Sequence, residues 1–195
     1  VILYAHPNSQ SFNHAVLDVV LEELEKQGVE GTVRDLYALE FDPVLKGGDL
    51  AAVRAGEPMD DVRREQAHLA AADLLVVIHP IWWYGMPSVM KGYVDRVFSY
   101  GFAYGPGPEG PVGLLKGKKI VVLNTTGGSE EAYRQAGFDQ TLRSMMGQGI
   151  CGFCGLETIL HHFFFAVPSV TPESRSAMLE ELRHLLREKV FPRMA

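Results

Sequence analysis

Several things are scarce in this chain. Two cysteines in 195 residues cannot make a disulfide framework. No apolar run reaches the ~18 residues that span a bilayer, and no leader peptide is visible. Positive charge is in deficit: 18 Lys and Arg against 24 Asp and Glu leave a net charge of −6. That balance argues against nucleic acid or an anionic membrane as partner. A cytoplasmic globular protein with no membrane insertion is expected. Glycine is missing where it would be most informative. The loop "HPNSQSFN" (6–13) joins a first apolar run, Val1 to Ala5, to a helical repeat at Ala15, Val16, Val19, Val20 and Leu24. A first strand feeding a first helix is where α/β proteins bind phosphate, usually through glycine.

What is present alternates between two periods. "VEGTVRDL" reads as a second strand and "DDVRREQAHLAAA" as a helix opening on acidic residues. "DLLVVIHPIWW" is a continuous apolar run, the mark of a parallel strand buried on both faces. "PSVMKGYVDRVFSY" is helical, "KKIVVLNTT" a strand, 130–147 helical, "ETILHHFFF" a last strand and "TPESRSAMLEELRHLLREKV" a last helix with Pro172 in its first turn. The glycine- and proline-rich stretches 41–59 and 101–117 read as loop and turn. Alternation of this kind predicts a doubly wound, five-stranded parallel sheet with helices on both faces, in a single domain over 1–195; in a flavodoxin-like order, strands one, three and four would lie side by side.

In such a sheet ligands bind beyond the carboxyl ends of the strands. Three strand ends carry unusual chemistry: "HPNSQSFN", "HPIWWYGMP" (79–87) and "NTTGGSEEAY" (124–133). Unpaired N–H groups at a helix start attract an anion with or without glycine. His6, Ser9, Ser11 and Asn13 can add side-chain donors. Ser11 or Asn13 fits a simple helix cap equally well. Trp82 and Trp83 fit either packing under a loop or a platform for a planar ring.

These blocks resemble the NAD(P)H:quinone oxidoreductases of the flavodoxin-like fold. "AHP…SFN", "HPIWWYGMPSVMKGYVDRVF", "GFAYG" and "LNTTGGSEEAY" occur in family order over most of the chain. The resemblance implies a homodimer with the active site at the subunit interface. It also implies a bound flavin and two-electron transfer from NAD(P)H to a quinone-like acceptor. Carried over residue by residue, His6, Ser11, Phe12 and Asn13 would hold the flavin phosphate and ribityl chain, and Gln66 its polar tail. Pro80, Ile81, Trp82, Trp83 and Tyr84 would pack on the ring, and Thr125, Thr126, Gly127 and Gly128 would bind its pyrimidine edge. Tyr133 would approach the N1/O2 side, and Ala103, Tyr104 and Gly105 would line the substrate cavity of the partner subunit. Arg175 falls near a cofactor contact.

One position departs from the family pattern. Animal members carry a histidine after the tyrosine, thought to stabilise charge on the reduced flavin. Asp139 stands there in this chain. FAD is expected as cofactor, with FMN the alternative, because relatives use both and residues 43–66 could meet an adenosine. Two other functions fit the same blocks: a regulatory flavoprotein of a membrane potassium-efflux transporter, and a flavodoxin-like electron carrier. No metal site is expected. Cys151 and Cys154 read as buried thiols, and His161 and His162 point to opposite faces of a strand.

Overall fold

Leucine, valine and isoleucine fill "LLVVIHP", and this stretch is β3 (Leu74–Pro80), buried at every position. The computed structural model describes residues 1–194. Around β3 lie β1 (Ile2–Tyr4), β2 (Val33–Asp35), β6 (Lys119–Thr125) and β7 (Glu157–Phe164). They form one five-stranded parallel sheet in the order β2-β1-β3-β6-β7. The doubly wound sheet expected from the alternation is therefore present, in the flavodoxin-like order that the resemblance implies, with β1, β3 and β6 side by side.

Period-two alternation divides the strands between two cores. Tyr4, Val76, Ile78 and Leu123 meet Val16, Val20 and Leu24 of α1 (Phe12–Lys26) and Leu182 of α7 (Pro172–Leu185). Leu3, Leu75, Val77 and Val122 face the opposite layer. There they meet Leu69 of α3 (Asp60–Ala71) and Met90, Tyr93 and Val97 of α4 (Ser88–Val97). Thr171 caps α7 by accepting the Ser174 amide, with Pro172 at the first helical position as its fixed φ favours. Gly28, just past α1, adopts φ +69, the left-handed geometry that ends helices.

The structure corrects four local readings. The stretch read as a loop at 41–59 contains α2 (Gly47–Arg54). Its glycines are poor helix formers, so tertiary contacts carry it. The Asp49 carboxylate accepts the Lys46 amide at 2.8 Å and is itself held by the buried Arg96, Nη2 to Oδ1 2.8 Å. Arg96 also donates to Asp61 and to the Asp42 carbonyl, which clamps the whole segment onto α4. Gly92 makes that docking sterically feasible, since a Cβ there would lie 2.2 Å from the Pro43 carbonyl oxygen. The turn at 101–117 is a hairpin of β4 (Tyr104–Gly107) and β5 (Gly110–Gly113).

The helix expected over 130–147 is split, because Gly137 takes φ +70 between α5 (Glu130–Gln135) and α6 (Phe138–Arg143). A π-helical stretch, Ser144–Gly152, follows. Lastly, the third strand stops at Pro80, short of the tryptophans. No helix is long and apolar enough to cross a membrane among the described residues.

Candidate functional site

β1, β3 and β6 run parallel and in register, so Tyr4, Pro80 and Thr125 release their loops at one end of the sheet. The loops enclose a cavity of about 390 Å³. His6, Ser11, Phe12 and Asn13 line it from the first loop, Pro80, Ile81, Trp82 and Trp83 from the second, and Thr125, Thr126 and Gly127 from the third. Residues far apart in the chain that were singled out on chemical grounds thus share one concavity.

The first loop is built for an anion. Ser11 is the N-cap of α1, and its hydroxyl accepts the His14 amide at 3.2 Å. The N–H groups of Phe12 and Asn13 open the helix and have no partner within it. His6 Nδ1 turns back onto Asn8, 3.1 Å from both its amide nitrogen and its carbonyl oxygen. Asn13 is buried and donates from Nδ2 to Thr125 Oγ1 at 2.9 Å. Its Oδ1 has no partner at all, an acceptor left open in a buried polar group. No Lys or Arg lines the cavity, so His6 is the one titratable side chain on its wall among the described residues.

The second loop is a tight turn rather than an extension of β3. Trp82 and Gly85 exchange both backbone hydrogen bonds, at 3.1 and 3.0 Å. The two residues between them, Trp83 and Tyr84, have φ +51 and +55. Left-handed geometry at two adjacent aromatic residues is strained, and such strain concentrates at functional sites. The turn holds the Trp83 side chain 99% exposed and Trp82 41% exposed at the rim. Packing under a loop is thereby excluded for Trp83.

In the third loop Thr126 bridges to the Gly128 carbonyl, Oγ1 to O 2.8 Å, while Gly127 faces open space. Gly128 has to be glycine, because a Cβ would come within 2.8 Å of the Tyr133 ring. Tyr133 stands behind this glycine in an aromatic cluster with Tyr84, Phe138 and Phe165. Burial, reinforced by Tyr84, pushes its hydroxyl above the ordinary tyrosine range.

Other expected residues lie elsewhere. Gln66 does not reach this cavity: its amide donates to the Val97 carbonyl and the Ser99 hydroxyl, both at 3.0 Å, and it lines a separate cavity with Ser99 and Tyr100. Ala103 is fully buried, Gly105 is buried, and Tyr104 meets Tyr100 edge-on and Phe153 at a tilt, away from the cavity of the same chain. Asp139 sits in the first turn of α6, and its charge acts on Arg143. Arg175 donates to the Val167 carbonyl at 3.4 Å. Val167 and Pro168, which follow β7 and complete the wall, were not singled out from sequence. Their only signal was position, at the same sheet end as the other loops. His161 and His162 do face opposite sides, toward Asn124 and toward Met178 respectively, and both cysteines are buried and free.

Residues 1–186 match the flavodoxin-like fold family. The chain is 34% identical over 198 residues to the uncharacterized NAD(P)H oxidoreductase of Haemophilus influenzae, covering 97% of this chain and 98% of that one. It superposes on the NAD(P)H:quinone oxidoreductase of Methanothermobacter marburgensis with TM-score 0.88 and 31% identity, over 96% of each chain. The general stress protein 14 of Treponema denticola, solved in complex with FMN, aligns at TM-score 0.69 and 26% identity over 95% of this chain and 94% of that one. The chain belongs to the flavodoxin-like family of NAD(P)H oxidoreductases and quinone reductases.

Proposed function

We propose that this protein binds a flavin in the cavity at the β1, β3 and β6 ends and is an NAD(P)H dehydrogenase acting on quinone-type acceptors. The observation that carries the reading is the donor and acceptor set of that cavity. Helix-start amides and Ser11 suit a phosphate, the unpartnered Asn13 Oδ1 suits a ribityl hydroxyl, and the tryptophan turn suits a planar ring. When bound, the flavin supplies two-electron, hydride-accepting chemistry. The chain's own residues then hold, shield and polarise. His6 and the start of α1 hold the phosphate, Ile81 to Tyr84 cover the ring, and the Gly127 and Gly128 amides with the Tyr133 hydroxyl stabilise developing negative charge.

The cavity of one chain meets the flavin and its phosphate, the part common to FMN and FAD. Residues 43–66, expected to meet an adenosine, line a different cavity or are clamped on α4. FMN therefore suits a single chain, and FAD would need a second copy to meet its adenosine. A homodimer in which the Ala103, Tyr104 and Gly105 segment closes the partner's cavity would present the half-buried Tyr104 with its exposed neighbours Tyr100 and Phe153, since Ala103 and Gly105 are buried within their own chain. With one cavity serving donor and acceptor in turn, initial rates should give the parallel double-reciprocal lines of a ping-pong scheme.

The test uses the protein's own reporters. Both of its tryptophans sit at the cavity rim, so their emission reads occupancy directly. Titration of flavin-free protein with FMN and with FAD should quench it, and the loaded protein should oxidise NAD(P)H with menadione. Absence of both quenching and turnover would overturn the reading.

A further inference from the structure

Behind the cavity wall, the buried His79 and Asn124 and the half-buried His161 form a hydrogen-bonded chain whose polarity has a single solution. His79 and Asn124 are fully buried and paired in register across β3 and β6, and His161 of β7 reaches Asn124 from the far side. Asn124 Nδ2 donates to the His79 carbonyl at 3.1 Å and lies almost equally far from the two His79 ring nitrogens, 3.2 and 3.4 Å, so it packs against the ring rather than along either lone pair. A carbonyl only accepts, so His79 Nδ1 carries a proton and donates it to the Pro80 carbonyl at 2.8 Å. At the other end Asn124 Oδ1 only accepts, so His161 Nε2 donates to it at 2.9 Å. Turning the amide around would set its oxygen against the His79 carbonyl. Burial holds both rings neutral, as this pattern requires.

The chain ends on a peptide group that lines the cavity. The Pro80 carbonyl takes the His79 proton, while the N–H of the same peptide, on Ile81, donates to the Thr125 carbonyl at 2.8 Å. This peptide is held on both sides, immediately before the strained Trp82–Gly85 turn. None of the three polar residues lines the cavity itself. His161 Nδ1 is left without a partner, a cost that an apolar core would not incur. Packing alone does not account for that expense.

We infer that His79, Asn124 and His161 are positioning residues that fix the Pro80–Ile81 peptide and thereby aim the tryptophan turn at the ring it receives. The ligand part of this inference rests on the proposed flavin reading; the peptide geometry does not. A ligand-facing wall set from His161, two strands away, would make a residue with no ligand contact matter for binding.

The experiment compares His161→Gln, which keeps a donor toward Asn124, with His161→Phe, which keeps a ring against Phe163 but removes the donor. Asn124→Leu, which cuts the chain at its centre, serves as an independent second break. The first readout is amide hydrogen exchange of Ile81 in flavin-free protein, with Val20 of α1, in a separate core, as internal reference. In His161→Phe, Ile81 exchange should rise about tenfold relative to Val20, and His161→Gln should stay within about twofold of the parent. The second readout is FMN affinity by tryptophan quenching. It should weaken about tenfold in His161→Phe, equivalent to about 1.4 kcal/mol, and recover in His161→Gln. Equal Ile81 exchange in parent, Phe and Gln variants would overturn the inference, as would equal disturbance by both substitutions. If Ile81 responds as stated but the parent shows neither quenching by FMN or FAD nor NAD(P)H turnover, the positioning stands and the flavin reading falls.

Discussion

Asn13 and Thr125, 112 positions apart in the chain, are joined at 2.9 Å by a hydrogen bond that uses only half of the Asn13 amide. The other half, Oδ1, is buried and without a partner, in a residue that lines the cavity. The two residues should therefore respond differently to substitution. Asn13→Leu removes the open acceptor and should weaken FMN binding by about tenfold or more, read by tryptophan quenching. Thr125→Val strands the Asn13 donor in the interior and should cost about 1–3 kcal/mol of stability, read by urea unfolding. Unchanged FMN affinity in Asn13→Leu would show that the open acceptor meets no ligand group.

The Trp83–Tyr84 turn sets stability against function. Trp83 buries almost nothing and sits at φ +51, so Trp83→Gly should relieve strain without losing packing. A gain of about 1 kcal/mol is expected from the backbone alone. The same change removes an aromatic surface at the rim and should raise KM for a quinone acceptor severalfold. A variant that is less stable than the parent would show that the Trp83 ring packs in solution.

Buried histidines set an acid limit. Burial lowers His79 to about 4 and, with Arg143 nearby, His161 to about 3, against an ordinary value of 6.5. Below pH 6.5 the unfolded chain binds protons that the folded protein refuses, so stability falls as pH falls toward those values. Each histidine should contribute a slope of about 1.4 kcal/mol per pH unit in that window. Urea unfolding at pH 7, 6 and 5 should show a shallower slope for His161→Phe than for the parent, and identical slopes would refute the assignment. Glu23 acts in a lower window. The Arg187 hydrogen bond holds it at about 2, so its contribution is present above pH 4.5 and is lost as pH falls toward 2.

Tyr133 and Asp139 should separate in kinetics. The Tyr133 ring packs on Gly128, and Tyr133→Phe keeps that contact while deleting the hydroxyl beside the third loop. Stopped-flow reduction of the loaded protein by NAD(P)H should slow about tenfold at every pH from 5 to 9. Asp139 lies in the first turn of α6, off the cavity wall. Asp139→Asn should leave the rate of reduction within about twofold of the parent. A tenfold change would place Asp139 beside the ring.

Much of this was legible in the chain as written. Continuous apolar runs mark β3 and β6 because strands buried on both faces have no polar side to show. Helical spacing marks α1, α4 and α7, and the polar and aromatic residues at three strand ends mark the cavity. Local pattern also sufficed to read Cys151 and Cys154 as buried thiols. Other features depended on partners distant in sequence. α2 forms in a glycine-rich stretch because Arg96, 47 positions beyond Asp49, holds its first turn. The tryptophans belong to a tight turn because the ladder to β6 ends at Pro80 and Thr125. Gln66 went to the neighbouring cavity because Val97 and Ser99 offered it acceptors. The polarity of the His79–Asn124–His161 chain exists only once three strands are stacked in register. Periodicity reports which face a residue takes; which partner it meets there is settled by the sheet.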